Sequence, residues 1–130
     1  MMDILIIDDN ASHLLMLTTF LETLGYRVAT AVDGQDALIQ LREATERPSL
    51  IIADVAMPHM TGWEFVRAQQ SDAELAAIPV VMMTALGYFD ADVATESVVD
   101  YLAKPLDLAA LEKVVRVYAV PRYASRVAGA

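Results

Sequence analysis

The sequence predicts a doubly wound α/β domain built on a five-stranded parallel sheet. Three observations predict it: five short apolar runs, segments of helical periodicity that separate them, and polar residues standing where the runs end. In such a sheet, parallel strands joined by right-handed crossovers bring all the strand ends of one sense to one edge. Asp8, Asp9, Asp54, Thr84 and Lys104 all fall at that edge, where ligands of open α/β sheets bind.

Ile4-Leu5-Ile6-Ile7 is apolar on both faces, so it reads as a buried strand, and it ends at Asp8-Asp9. Leu14, Leu17, Thr18, Leu21 and Leu24 recur at helical spacing, with Asn10 as candidate cap and Gly25 as stop. Tyr26 to Ala31 reads as a second strand. Asp33-Gly34 opens a helix with Ala37, Leu38, Leu41 and Ala44 on one face, and Pro48 closes that segment. Ser49 to Asp54 repeats the buried run finishing in Asp, and Met57-Pro58 with Gly62 marks a loop before a helix over Trp63 to Gln70. Ile78 to Met83 forms a fourth strand ending at Thr84. A short fourth helix is expected around Asp92 to Ser97, where Gly87 and scattered acids weaken the periodicity. Tyr101 to Lys104 is the fifth strand, and Leu108, Leu111, Val115 and Tyr118 line a last helix that Pro121 terminates. A single domain over residues 1–120 with a loose tail over 121–130 is the expected organisation.

The 130 residues and 56% hydrophobic content suit one such unit with a real core. No apolar run approaches the roughly 20 residues that cross a bilayer, which argues against membrane insertion. The start shows no secretory pattern, and the absence of Cys agrees with a reducing compartment, so a cytoplasmic location is expected. A net charge of −9 disfavours direct binding of nucleic acid.

Clustered carboxylates repel one another unless a cation neutralises them, and a hard divalent metal does so economically. Mg2+ prefers such oxygen donors, and Mn2+ is a workable substitute. An Asp carboxylate beside such a metal can attack a phosphoryl donor when the oxygens of the transferred group are neutralised. Lys104 and Thr84 supply an ammonium and a hydroxyl for that purpose, and Asp54 is the acceptor the pattern favours.

Taken singly, each residue has a plainer reading. Asp8-Asp9 suits a helix cap, Asp54 a turn, Thr84 a cap of the next helix, and Lys104 a solvated edge. His13 and His59 share no metal-binding spacing with the acids and read as surface residues. Trp63, Phe65 and the seven methionines read as packing residues. The plain readings require independent coincidences at one end of one sheet.

The chain resembles the response regulator receiver domains of two-component signalling over roughly residues 3–118. The resemblance rests on Ile6-Ile7-Asp8-Asp9-Asn10, on Asp54 to Gly62, on Val80 to Ala85, and on Tyr101-Leu102-Ala103-Lys104-Pro105. It implies the flavodoxin-like (βα)5 fold with strand order 2-1-3-4-5. It further implies that Asp9, Asp54 and the carbonyl of Ala56 bind Mg2+, with Asp8 helping through water. Asp54 is then the phosphoacceptor, Lys104 contacts the phosphoryl group, and Thr84 and Tyr101 are the switch pair. A cis bond before Pro105 is also implied, although only about 5–6% of such bonds are cis in general.

The implied partners are a sensor histidine kinase or histidine phosphotransfer protein and a downstream protein target of unspecified identity. A homodimer through the face of the fourth helix, fifth strand and last helix is compatible with the resemblance. The domain would not be a turnover enzyme, and it is either free-standing or part of a longer regulator or hybrid kinase. Two departures stand out. The span from Thr84 to Lys104 is short for the family, with Val98-Val99 where a Gly is common, and Ala56 and Leu86 are apolar where many relatives are polar. A side chain such as Ala56 cannot position water, so hydrolysis of the phosphoryl group is expected to depend on the metal and Lys104. The alternatives are a receiver-like module that docks partners without phosphorylation, and a flavodoxin-like cofactor binder. The charges of Asp8-Asp9 disfavour the latter, because they would repel a flavin phosphate.

Overall fold

The computed structural model describes residues 2–85 and 97–120. Its elements run β1 (Ile4–Ile7), α1 (Ala11–Thr23), β2 (Val28–Ala31), α2 (Gly34–Glu43), β3 (Leu50–Asp54), α3 (Gly62–Gln70), β4 (Val80–Thr84), β5 (Val98–Ala103) and α4 (Leu108–Tyr118). The strands pair in parallel in the order β2-β1-β3-β4-β5, so the chain reverses its direction of winding between β1 and β3. That reversal opens a crevice at the carboxyl ends of these two strands.

Local chemistry fixes where the helices begin. Asn10, Asp33, Thr61 and Asp107 each accept a backbone N–H of the first turn through the side chain, and Thr61 forms a reciprocal capping box with Glu64. Gly25, at φ 99°, supplies the left-handed residue that turns the chain away from the end of α1.

Strand alternation divides the core into two layers. Leu5, Ile7, Ile51, Ala53, Val80 and Met82 face α2 and α3, where Leu41 and Phe65 are fully buried. Ile4, Ile6, Leu50, Ile52, Val81 and Met83 face α1 and α4, where Leu17, Leu21, Leu111 and Val115 are fully buried.

Several boundaries differ from the sequence reading. The second strand begins at Val28 because the Tyr26 N–H donates to Leu21 O at 3.2 Å and so closes α1. The fourth begins at Val80 because Pro79 has no N–H to give and the Ile78 N–H turns back to Leu75 O. The fifth begins at Val98, three residues before Tyr101, and holds an irregularity: Val80 pairs with Val98 but Val81 pairs with Asp100. One extra residue is thereby absorbed, and Tyr101 lies on the same layer as Val98 despite an odd spacing. The helix expected around Asp92 to Ser97 lies, apart from Ser97, outside the described residues, as do Leu86 and the tail from Pro121.

Two glycines carry close contacts near this crevice. A Cβ on Gly62 would stand 2.5 Å from the backbone O of Asp54, and one on Gly34 would stand 2.4 Å from Met60 Sδ. Backbone at a strand end cannot yield as a methionine side chain can. Gly62→Ala is therefore expected to cost about 1–3 kcal/mol, as overpacking does. Gly34→Ala should cost clearly less, and urea midpoints of the two variants in the reverse order would refute this account.

Candidate functional site

The crevice gathers side chains from three strand ends. Asp8 follows β1 and is 1% exposed, Asp54 closes β3 and is 3% exposed, and Asp9 faces solvent. Carboxylate oxygens of all three lie within 4.8 Å of one another. Lys104, just beyond β5, donates from Nζ to Asp54 Oδ2 at 2.6 Å, and the Ala56 N–H donates to Asp54 Oδ1 at 3.2 Å. Asp8 is held equally firmly: the Asn10 N–H donates to its Oδ1 at 2.9 Å, and His13 Nδ1 pairs with its Oδ2. These groups line an open cavity that continues to Met16, Pro105 and Leu106. The Lys104–Pro105 peptide is cis.

Burial pushes the Asp54 carboxyl above its ordinary range. The Lys104 hydrogen bond and charge oppose this, the neighbouring Asp8 charge adds to it, and the Ala56 N–H opposes it again. Three carboxylates, Asp8, Asp9 and Asp54, stand here against the one Lys104 ammonium, so the pocket carries more negative charge than that lysine balances. Three hard oxygen donors around such a deficit fit Mg2+ or Mn2+, and receiver-type acidic pockets typically bind Mg2+.

Strand alternation explains which of the remaining residues join this group. Asp8, Asp54 and Lys104 continue the layer of Ile6, Ile52 and Leu102, facing α1 and α4. Thr84 continues the opposite layer, that of Met82, and does not line the cavity; its Oγ1 donates to Ala85 O at 3.0 Å. Tyr101, paired with Met82, packs into that same opposite layer. The sequence reading found no metal-binding spacing between His13 and the acids and took it as a surface residue, whereas its side chain is only 20% exposed and is paired with Asp8. A usable signal was present: Asn10 caps the helix by accepting the His13 N–H at 3.0 Å, which fixes residue 13 in the turn that overhangs the end of β1. His59 is exposed, with φ 67°, in the loop before α3.

Fold and pocket together define a receiver-type signalling domain of the doubly wound α/β class. The chain belongs to the response regulator receiver domain family, whose model matches residues 4–116. It is 34% identical over 114 residues to Protein PilH of Pseudomonas aeruginosa, covering 86% of this chain and 93% of PilH. It is 40% identical over 119 residues to the transcriptional regulatory protein ZraR of Escherichia coli, covering 85% of this chain but only 26% of ZraR. Among solved structures it is similar to the chemotaxis protein CheY4 of Vibrio cholerae, with TM-score 0.76 and 31% identity over 91% of this chain and 98% of that one. A response regulator receiver protein from Pseudomonas putida gives TM-score 0.76 at 28% identity, covering 87% and 93%. Domains of this family are modules of two-component signalling that act with histidine kinases and downstream effectors, and they are not turnover enzymes. No described helix is long and apolar enough to cross a membrane.

The raised Asp54 carboxyl makes a signed prediction. The folded chain holds this proton more tightly than the unfolded chain does, so its contribution to stability falls as pH rises from the ordinary Asp value of about 3.9 through the raised one. In metal-free buffer Asp54→Asn should therefore melt higher than the native chain at pH 7, and the gap should narrow as the pH is lowered below about 4. Equal melting temperatures at pH 7 would count against an electrostatically loaded Asp54.

Proposed function

We propose that this domain accepts a phosphoryl group on Asp54 from the phosphohistidine of a sensor kinase or phosphotransfer protein, and passes the signal to a protein partner by a change of conformation. The observation that carries this reading is the Asp54 carboxylate, buried at the end of β3 yet open to the cavity, held between Lys104 Nζ at 2.6 Å and the Ala56 N–H at 3.2 Å. Such a carboxylate is fixed in orientation and remains reachable, as a nucleophile must be.

In the transfer, one Asp54 oxygen forms a bond to phosphorus as the bond from phosphorus to the donor imidazole nitrogen breaks. The imidazole leaves with the electron pair and takes a proton from solvent. Lys104 exchanges its carboxylate partner for a phosphoryl oxygen, which keeps its charge at the reacting centre throughout. The Thr84 hydroxyl turns from Ala85 O toward another phosphoryl oxygen, and Tyr101 on the same layer responds. Asp9, Asp54 and the Ala56 carbonyl would hold Mg2+ directly. Asp8, held by the Asn10 N–H and His13, would assist through water. The ion supplies positive charge to the carboxylates and to the incoming phosphoryl group.

Ala56 borders the cavity and is exposed, and a methyl group cannot orient water. Ala56→Asn is thus expected to change the rate at which the phosphoryl group is lost; an unchanged rate would remove this residue from the hydrolytic step. A cytoplasmic location, a single domain over residues 1–120 with a loose tail over 121–130, and the pairing of two copies through the face of the expected fourth helix, the fifth strand and the last helix belong to the same proposal.

Intact mass after incubation with acetyl phosphate and Mg2+ tests the central claim. The native chain should gain one phosphoryl group and Asp54→Asn none, and omission of Mg2+ should suppress the gain. A native chain that gains nothing would favour a module that docks its partner without phosphorylation.

A further inference from the structure

The only tryptophan of the chain, Trp63, sits one residue after Gly62, whose N–H donates to Val55 O at 2.9 Å directly beneath the end of β3. Its side chain is 6% exposed and belongs to the layer covered by α2 and α3. The Tyr101 ring packs against that same layer, 6.3 Å from the Trp63 ring between centroids and tilted by 49° to it. This separation and tilt lie within the range in which aromatic rings attract through their edges and faces. The backbone below it is tightly packed: a Cβ on Gly62 would approach Asp54 O to 2.5 Å and Met82 Cε to 2.7 Å, and Met82 is the strand partner of Tyr101. Gly62 thus lies against the backbone of Asp54 and the side chain of Met82, and Trp63 beside it meets Tyr101, the strand partner of Met82.

We propose that Trp63 is a positioning residue for the switch: its indole holds the Tyr101 ring in the packed position and ties that position to the backbone that carries Asp54. This rests on the reading of Asp54 as phosphoacceptor and of Tyr101 as its responding ring. A ring kept against Trp63 leaves the end of β4 clear for the Thr84 hydroxyl, which stands on the same face two residues beyond the Met82–Tyr101 pair. The aromatic contact thus favours the conformation that accepts the phosphoryl group, and its loss must be made good when the site is filled.

The test titrates beryllofluoride, a phosphoryl mimic, in the presence of Mg2+ into the native chain, Trp63→Phe and Trp63→Leu. Bound beryllofluoride is followed by fluorine NMR, and the Tyr101 ring by 3-fluorotyrosine labelling, with its resonance assigned by its loss in Tyr101→Phe. In Trp63→Leu the half-saturating concentration should rise about 2- to 10-fold, the worth of one aromatic pair. Its resting Tyr101 resonance should move toward that of free tyrosine, and Trp63→Phe should restore most of both. Native values in Trp63→Leu, or equal losses in the Phe and Leu variants, overturn the inference while leaving the phosphoacceptor reading intact. Absence of any bound fluoride signal in the native chain overturns both. Should Trp63→Leu fail to fold, Tyr101→Leu carries the test: it should show the same rise of about 2- to 10-fold in the half-saturating concentration, and a native value there overturns the proposal.

Discussion

Placing two carboxylates almost out of solvent at the ends of neighbouring strands is costly, because each loses hydration and each raises the energy of the other. Asp8 and Asp54 are in that position, and everything else at this edge of the sheet answers to it. Asp8 is satisfied locally by the Asn10 N–H and His13, both supplied by the first turn of α1. Asp54 is satisfied from 50 residues away by Lys104 and locally by the Ala56 N–H. The penalty is tolerable because of what lies behind it: seven large aliphatic side chains of β1 and β3 are fully buried, each contributing about 1.5–3 kcal/mol. The core therefore sustains a pocket whose residual negative charge is available for a cation and for chemistry.

The lysine reaches its partner only because β5 is irregular. Val98 and Tyr101 both face α2 and α3, which strict alternation forbids for residues three apart. The extra residue between the Val80–Val98 and Val81–Asp100 pairs inverts the pattern, so that Leu102 turns to the α1 and α4 layer and Lys104 follows it toward Asp54. A one-residue change of register exchanges every side chain between faces. The bulge thus sets two placements at once: Lys104 on the acidic side and Tyr101 on the side of Trp63.

Much of this could be read from the sequence because buried parallel strands are continuous apolar runs, and such runs end where polarity begins. Ile4–Ile7 before Asp8 and Leu50–Ala53 before Asp54 are unambiguous in this respect, and they carry the fold and the acidic pocket. The beginning of β5 was not legible. Asp100 interrupts its apolar pattern, and a bulge leaves no period-two signature for sequence reasoning to follow. The His13–Asp8 pair was missed for another reason: a residue i+5 shares no strand or helix face with its partner until the Asn10 cap fixes the turn between them. Trp63 and Tyr101 are 38 positions apart, and only the tertiary fold of α3 onto β5 joins them.

The layered arrangement has a mechanical consequence. The acids and Lys104 lie on one face of the sheet and Thr84, Tyr101 and Trp63 on the other, so an event at the Asp54 carboxylate must cross the sheet to be felt by the aromatic pair. Side chains cannot carry it through the strands, whose backbone hydrogen bonds are fixed by the ladder. Two routes go around the strand ends: the hydroxyl of Thr84 at the end of β4, and the Val55–Gly62 hydrogen bond that fastens α3 beneath β3. Under the proposed function, the first needs a bond formed after the site is filled. The second is already closed in the resting chain, and Gly62, with no Cβ to hold α3 away from Asp54 O, is what allows it to be this short.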